Sequence, residues 1–511
     1  MRIRLLTALL AAGLAASVLA GCSGGGGQSD GADSGKIVVV QGVDTESGDP
    51  ANQSATPSLN IGYLQFDPLV LRDASLKIKP GVATKWKVVN DRTWRFTLRE
   101  GVKFHDGTAL TADDVVYTFT RLLDPKKNFK NRSNVDVIEK AVKVDDHTVD
   151  IVTKAPYGPL LARLLEAPIV PKAYIEKVGD EEFARKPIGS GPYKFVRWDR
   201  DSEYVMDAFD GYWGEKPKNK QVVFKTIAEA SVRVAALKTG AADIIVNVPP
   251  ELVAQVDGQP ETKLAPIHGV RTIFVGMNTF VKPLNDPKVR QALNYAIDRK
   301  ALIKGILGGR ARLTGVAFGP QIHGWDDGIR DSAYEYDPAK AKQLLADAGY
   351  PNGLTLPFEA PRGRYMKDAE LAEAIAGQLA KAGVKTKLRI SDWGTFWPKT
   401  VAKKQQGLFL MGLGNTLLDA DYYYKLYFSS EGRGYFHNKT MDKVIAAQQT
   451  NLDEASRLEQ LKRLHEQVVE TAPWVFLWDQ DDLYAQRSDL CGWKPRPEER
   501  IDVVTAHRCP K

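Results

Sequence analysis

Between Thr93 and Pro125 the hydrophobic period of the chain changes from two to nearly four. In TWRFTL, Trp94, Phe96 and Leu98 alternate with Arg95, Thr97 and Arg99, the pattern of a strand with one buried face. HDG at 105–107 signals a turn. Thr111 then stands three residues before Asp114, the spacing of a capping box. Val115, Phe119, Leu122 and Leu123 share one helical face, and Asp124-Pro125 ends it. A chain that must bury a strand face and then a helix face needs layers of both kinds.

The same alternation continues. IVVVQ (37–41) reads as a strand, and a helix is expected around Ser58–Phe66. EASVRVAALKTGAADIIV predicts a helix ending at Gly240 and then a short strand. NDPKVRQALNYAIDRKALIKGIL predicts one strong helix, capped by Asp286 with Pro287 in its first turn. Asp337-Pro338 opens another that ends at Gly349. A helix carrying Leu371, Ile375 and Leu379 ends at Gly383, and KTKLRI (385–390) is a strand. A late helix spans 453–470, and WVFLW (474–478) is a buried strand. With 511 residues, 43% of them hydrophobic, the chain can fill two or three domains in an α/β arrangement.

The first 21 residues read as a signal peptide, with Arg2 and Arg4 before an apolar core from Leu5 to Leu19. Leu19-Ala20-Gly21-Cys22 resembles a bacterial lipoprotein signal, which implies a lipid on Cys22. An ordinary secretory peptide is the alternative. Residues 22–35 have flexible-tether composition. Beyond residue 22 no apolar run reaches 18 residues, so no transmembrane helix is expected. Cys491 and Cys509 are expected to form a disulfide outside the cell. The formal charge of +7 is mild for this length, and basic residues do not cluster with aromatics, which argues against nucleic acid.

Five stretches, in order, resemble the extracytoplasmic solute-binding proteins of ABC importers, family 5, the peptide/nickel branch. They are FTLREGVKFHDGTALTADDVVYTF (96–119), GSGPYKF (189–195), GAADI (240–244), FVGMNTF with DPKVRQALNYAIDR (274–299), and YDPAKAKQLLADAGY (336–350). The resemblance implies a periplasmic-binding-protein-like fold of class II, cluster C: two main lobes, a hinge of two crossing strands and an extra subdomain. Lobe I would hold 36–78, 189–285 and 486–511, lobe II 79–188, and lobe III 286–485. It also implies a lipid-anchored monomer on the outer side of the membrane. Such a protein captures peptides and delivers them to permease and ATPase subunits; an oligosaccharide or a chelated metal is the alternative ligand.

The resemblance places the ligand beside LFLMGLGNTLLDADYYYKLYF (408–428). Peptide-binding relatives carry a segment like G-W-x-G-D-x-x-D-P-D-x-F. Here the first acid, which pairs with a peptide amine, falls on Thr416; Asp419 and Asp421 match the other two. A hydroxyl forms no ion pair, so the contact at Thr416 is neutral or Asp419 takes over. Asn415, Trp393 and Asn278 complete the expected ligand contacts. No catalytic residue, cofactor or metal is expected. Gly189-Ser190-Gly191 lacks phosphate-loop spacing, and HEQVVE (465–470) misses the second histidine of a zinc protease.

Overall fold

The N-terminal strand Lys36–Gln41 lies parallel to Gln221–Thr226 on one side and to Ile244–Ile245 on the other. After Lys36 every residue in it is buried, as befits a strand covered on both faces. The computed structural model describes residues 35–326, 328, 334–362, 364–414 and 417–510. Cys22, Asn415 and Thr416 lie outside the described residues, as does the side chain of Trp393.

These strands belong to one eleven-stranded sheet. Its order runs Val384–Asp392, Leu354–Arg362, Leu408–Leu413, Thr262–Met277, Trp474–Arg487, Ile244–Ile245, Lys36–Gln41, Gln221–Thr226, Glu203–Ala208, Tyr193–Asp199; Ala311–Leu313 pairs off this path with Trp474–Arg487. The two long strands, of 16 and 14 residues, join its halves. Thr272–Met277 pairs with Leu408–Leu413, while Ile244–Ile245 pairs with Ala485 and Gln486. Each half has its own core. Phe274 stacks on Trp474 in one, with ring centroids 3.9 Å apart. Val39, Tyr193 and Trp493 pack in the other.

A separate four-stranded antiparallel sheet is ordered Ala83–Asn90, Thr93–Leu98, Thr148–Thr153, Ile138–Asp145. Trp94, Phe96 and Leu98 are its buried face. The helix Ala112–Leu123 packs over it, and Phe119 shares that core. The capping box is present: the Thr111 amide donates to Asp114 Oδ2 at 2.9 Å.

Two expectations change in detail. The stretch 285–307 forms two helices, Pro287–Tyr295 and Arg299–Ile306. Asp298 breaks it by accepting from the Ala301 amide at 2.9 Å, a new N-cap. The strand expected at 474–478 runs on to Arg487. Cys491 and Cys509 are disulfide-bonded, tying Leu490–Cys491 to His507–Arg508. Among the described residues no helix is long and apolar enough to cross a membrane.

Candidate functional site

The two long strands lose register where the sheet's halves meet. His268 faces Asp481 and Thr272 faces Asp479, so Gly269, Val270 and Arg271 oppose Gln480 alone. Such a bulge bends the strand and turns its side chains. Gly269 is required by contact: a Cβ there would stand 2.5 Å from Asp482 Oδ2 and 2.8 Å from the Gln480 carbonyl. The C-terminal tail is pinned to the bulge, since the Val270 amide donates to the Pro497 carbonyl at 3.2 Å.

Arg271 leaves the bulge and donates from Nη2 to Glu499 Oε1 at 2.7 Å. Its guanidinium also lies against Gly414, where a Cβ would be 3.1 Å from Nη2. Gly414 directly precedes Asn415 and Thr416. Arg364 is close by and exposed at the surface; desolvation by the surrounding protein and then the Arg271 charge lower its pKa. Burial opposes ionisation of Glu499, but Arg271 and Arg364 together hold its carboxyl below the usual range. Asp482 goes the other way. Burial, then the Glu499 charge, push it well up, and its buried Oδ2 has no hydrogen-bond partner among the described residues. Four chain segments thus bring charges of both signs to one place.

Beside these charges the pairing of two neighbouring strands stops early. Leu354–Arg362 pairs with Leu408–Leu413 only at Phe358–Leu408 and Glu359–Phe409. Beyond them Ala360–Arg362 stays with Ile390–Asp392, and Leu410–Leu413 with Thr272–Val275. The gap between these unpaired ends, the wedge, leads toward Arg364 and Gly414, and its strand residues Ala360, Leu410, Met411 and Leu413 are buried. Tyr365 reaches into it and donates to the Gly412 carbonyl at 3.0 Å.

The acids of the 408–428 segment are engaged by protein groups. Asp419 accepts from Arg457 at 2.5 and 3.1 Å, lies 3.3 Å from His323 Nδ1, and caps the Asp421 amide. Burial would raise its pKa; Arg457 and His323 overcome that and hold it far below the carboxylate range. Asp421 Oδ2 accepts from Tyr157 at 2.6 Å and Arg163 at 3.2 Å, and its Oδ1 accepts from Gln448 at 2.6 Å. Asn278 is buried in a turn, donating to the Gln405 carbonyl at 2.7 Å and accepting from the Phe280 amide at 3.0 Å. Trp393 opens the helix Trp393–Val401.

The structure therefore places Asp419 and Asn278 in internal networks and brings Arg271, Arg364, Glu499 and Asp482 together instead. The signal for two of them was a charge inside an apolar run: Arg271 in HGVRTIFVGM and Asp482 in FLWDQDDLYA. Among the described residues no cluster of three or more metal-ligating side chains occurs.

Residues 77–435 match the pattern of the bacterial extracellular solute-binding proteins, family 5. The dipeptide-binding protein of Escherichia coli is 31% identical over 457 residues, covering 82% of this chain and 84% of that one. The glutathione-binding protein GsiB of Pectobacterium atrosepticum is 29% identical over 476 residues, covering 90% and 92%. Among solved structures, the Helicobacter pylori periplasmic binding protein DppA in complex with the peptide STSA superposes with a TM-score of 0.81 at 27% identity, covering 93% of this chain and 98% of that one. The chain belongs to the family 5 bacterial extracellular solute-binding proteins, whose members bind solutes rather than catalyse reactions.

Proposed function

We propose that this family 5 protein is the extracytoplasmic receptor of an ABC importer and captures short peptides in the wedge between Ala360–Arg362 and Leu410–Gly414. The observation that carries this is the end of strand pairing beyond Glu359 and Phe409, flanked by charge of both signs. An extended peptide backbone completes the hydrogen bonding of such an edge with little regard to its side chains. Arg271 and Arg364 suit a peptide carboxylate, and Glu499, held ionised beside them, suits an amine. The relatives' names support the same reading: a dipeptide-binding protein, a glutathione-binding protein, and a binding protein holding the peptide STSA.

The bulge at Gly269–Arg271 serves as the hinge between lobe I (36–78, 189–285, 486–511) and lobe III (286–485), with 79–188 as lobe II. Cys22 carries the lipid and 22–35 the tether, so the monomeric body stays beside its permease while the ATPase subunits hydrolyse ATP. Cys22→Ser should release the protein into the medium.

Mass spectrometry of ligand that co-purifies with the natively isolated protein tests the reading. A set of short peptide masses, lost after unfolding and refolding, is expected. A sugar or a metal chelate in their place would overturn it.

A further inference from the structure

One buried leucine has a backbone conformation that leucine avoids. Leu418 has a φ of 51°, in the left-handed region, and is 4% exposed. Asn128, Asp201 and Asn247 also have positive φ, but their short polar side chains tolerate that region. A bulky side chain does not, and such strain persists only where the surroundings hold it.

Here both peptide planes that flank Leu418 are held. The plane before it carries the Leu417 carbonyl, which accepts from Arg72 Nη2 at 2.6 Å. The plane after it carries the Leu418 carbonyl, which accepts from the His323 amide at 2.9 Å; the His323 carbonyl in turn accepts from the Ala420 amide at 2.9 Å. With both planes fixed, the two rotations at the Leu418 Cα are fixed as well. His323 and Leu418 belong to the same region, 286–485. Arg72 does not: it lies in 36–78, at a sequence separation of 345 from Leu417.

Arg72 is anchored on its own side. It ends the strand Val70–Arg72, and Arg496 from the tail donates to the next carbonyl, that of Asp73, at 2.8 Å. Leu76, just after that strand, packs against the core that contains Leu418, so the two regions meet at this point.

We propose that Arg72 is a positioning residue that grips the Leu417 carbonyl across the cleft and holds Leu418 in a strained turn made only in the closed, ligand-loaded protein. The proposal rests on the receptor reading above, in which 36–78 and 286–485 stand on opposite sides of the cleft, and adds a latch and a spring to it. The Arg72 bond favours closure. The strain at Leu418 opposes it: opening takes Arg72 off the carbonyl, frees one of the two planes and lets Leu418 relax. Each state is favoured only by what differs between the two.

Ligand release tests this. Ala-Ala, Ala-Ala-Ala and Ala-Ala-Ala-Ala are titrated against ligand-stripped parent, and the tightest binder is followed by stopped-flow dissociation. Arg72→Gln should speed its release about tenfold or more. It should leave the melting temperature of ligand-free protein unchanged, because the open protein does not make the bond. Leu418→Gly and Leu418→Ala isolate the spring, since both lose the side chain and only alanine stays strained at positive φ. The glycine variant should release about fivefold more slowly than the alanine variant, and the two should release alike once Arg72→Gln is added. Unchanged release by Arg72→Gln, a lowered melting temperature of its ligand-free form, or equal release by the Leu418 pair would overturn the clamp and leave the peptide reading standing. Binding of none of the three peptides by the parent would overturn both.

Discussion

Arg457 holds Asp419 through two charge-assisted hydrogen bonds, Nη2 to Oδ1 at 2.5 Å and Nη1 to Oδ2 at 3.1 Å. Both side chains are buried, and His323 closes the third side. A carboxylate so engaged is a structural element, and a ligand amine would have to displace a guanidinium to reach it. Asp419→Asn strands the Arg457 charge in the interior and should destabilise the protein by about 3 kcal/mol. Peptide affinity of the folded fraction should be nearly unchanged. Thermal melting and calorimetry on the same sample check both parts; loss of binding with normal stability would restore Asp419 as a ligand contact.

The pair also sets an acid limit. The folded pKa of Asp419 is depressed, so its contribution is complete above the unfolded value of about 3.9 and is lost as pH falls toward the folded one. His323 is shifted up by its hydrogen bond to Asp419, so its contribution is complete below its unfolded value of about 6.5 and fades as pH rises through the raised one. The stability difference between the parent and Asp419→Asn should therefore shrink below about pH 4. Denaturant midpoints across pH measure it.

Asp421 joins segments 264 residues apart through Tyr157 Oη and, beside it, Arg163. Arg163→Met removes the cation and leaves the carboxylate to Tyr157 and Gln448. This should weaken the contact between the 79–188 region and the 286–485 region, and speed ligand release by about tenfold. Stopped-flow dissociation of a bound peptide reads the effect; an unchanged release rate would separate this contact from closure.

Gly269→Ala pushes a methyl against the Gln480 carbonyl and Asp482 inside the bulge. The carbonyl belongs to a paired strand and has little room to move. A loss of about 1–3 kcal/mol is expected, with a change in the bend between the sheet's halves. Melting temperature and small-angle scattering report the two consequences.

Removing the Cys491–Cys509 bond should cost about 3 kcal/mol, because it closes a loop with a sequence separation of 18. The loop it closes carries Pro497 and Glu499, whose bonds to Val270 and Arg271 involve neither cysteine, so Cys491→Ser with Cys509→Ser should melt earlier and bind with parental affinity. Calorimetry at a temperature well below the lowered melting point keeps the two effects apart.

Much of the fold was legible because its signals are local. The Thr93–Leu98 alternation, the Thr111–Asp114 cap, and Gly349 and Gly383 with φ of 92° and 89° each act within a few residues. The Trp474–Arg487 strand was only half legible. Asp479, Asp481 and Asp482 look like its charged end, but they are buried, with Asp479 accepting from Thr272 at 2.7 Å and Asp481 meeting His268 at 2.5 Å. Those partners lie more than 200 residues away. The site was less legible still. Arg271 and Glu499 are 228 residues apart and meet only because the tail returns to the bulge.

The central claim is that peptide backbone fills the wedge between the two unpaired strand ends. Hydrogen exchange read by mass spectrometry, on ligand-stripped protein with and without a saturating tripeptide, tests it most directly. Protection should rise in the segments covering 360–367 and 408–419, more than in the four-stranded sheet at 83–98. A peptide that binds and leaves both wedge segments exchanging as before would contradict it.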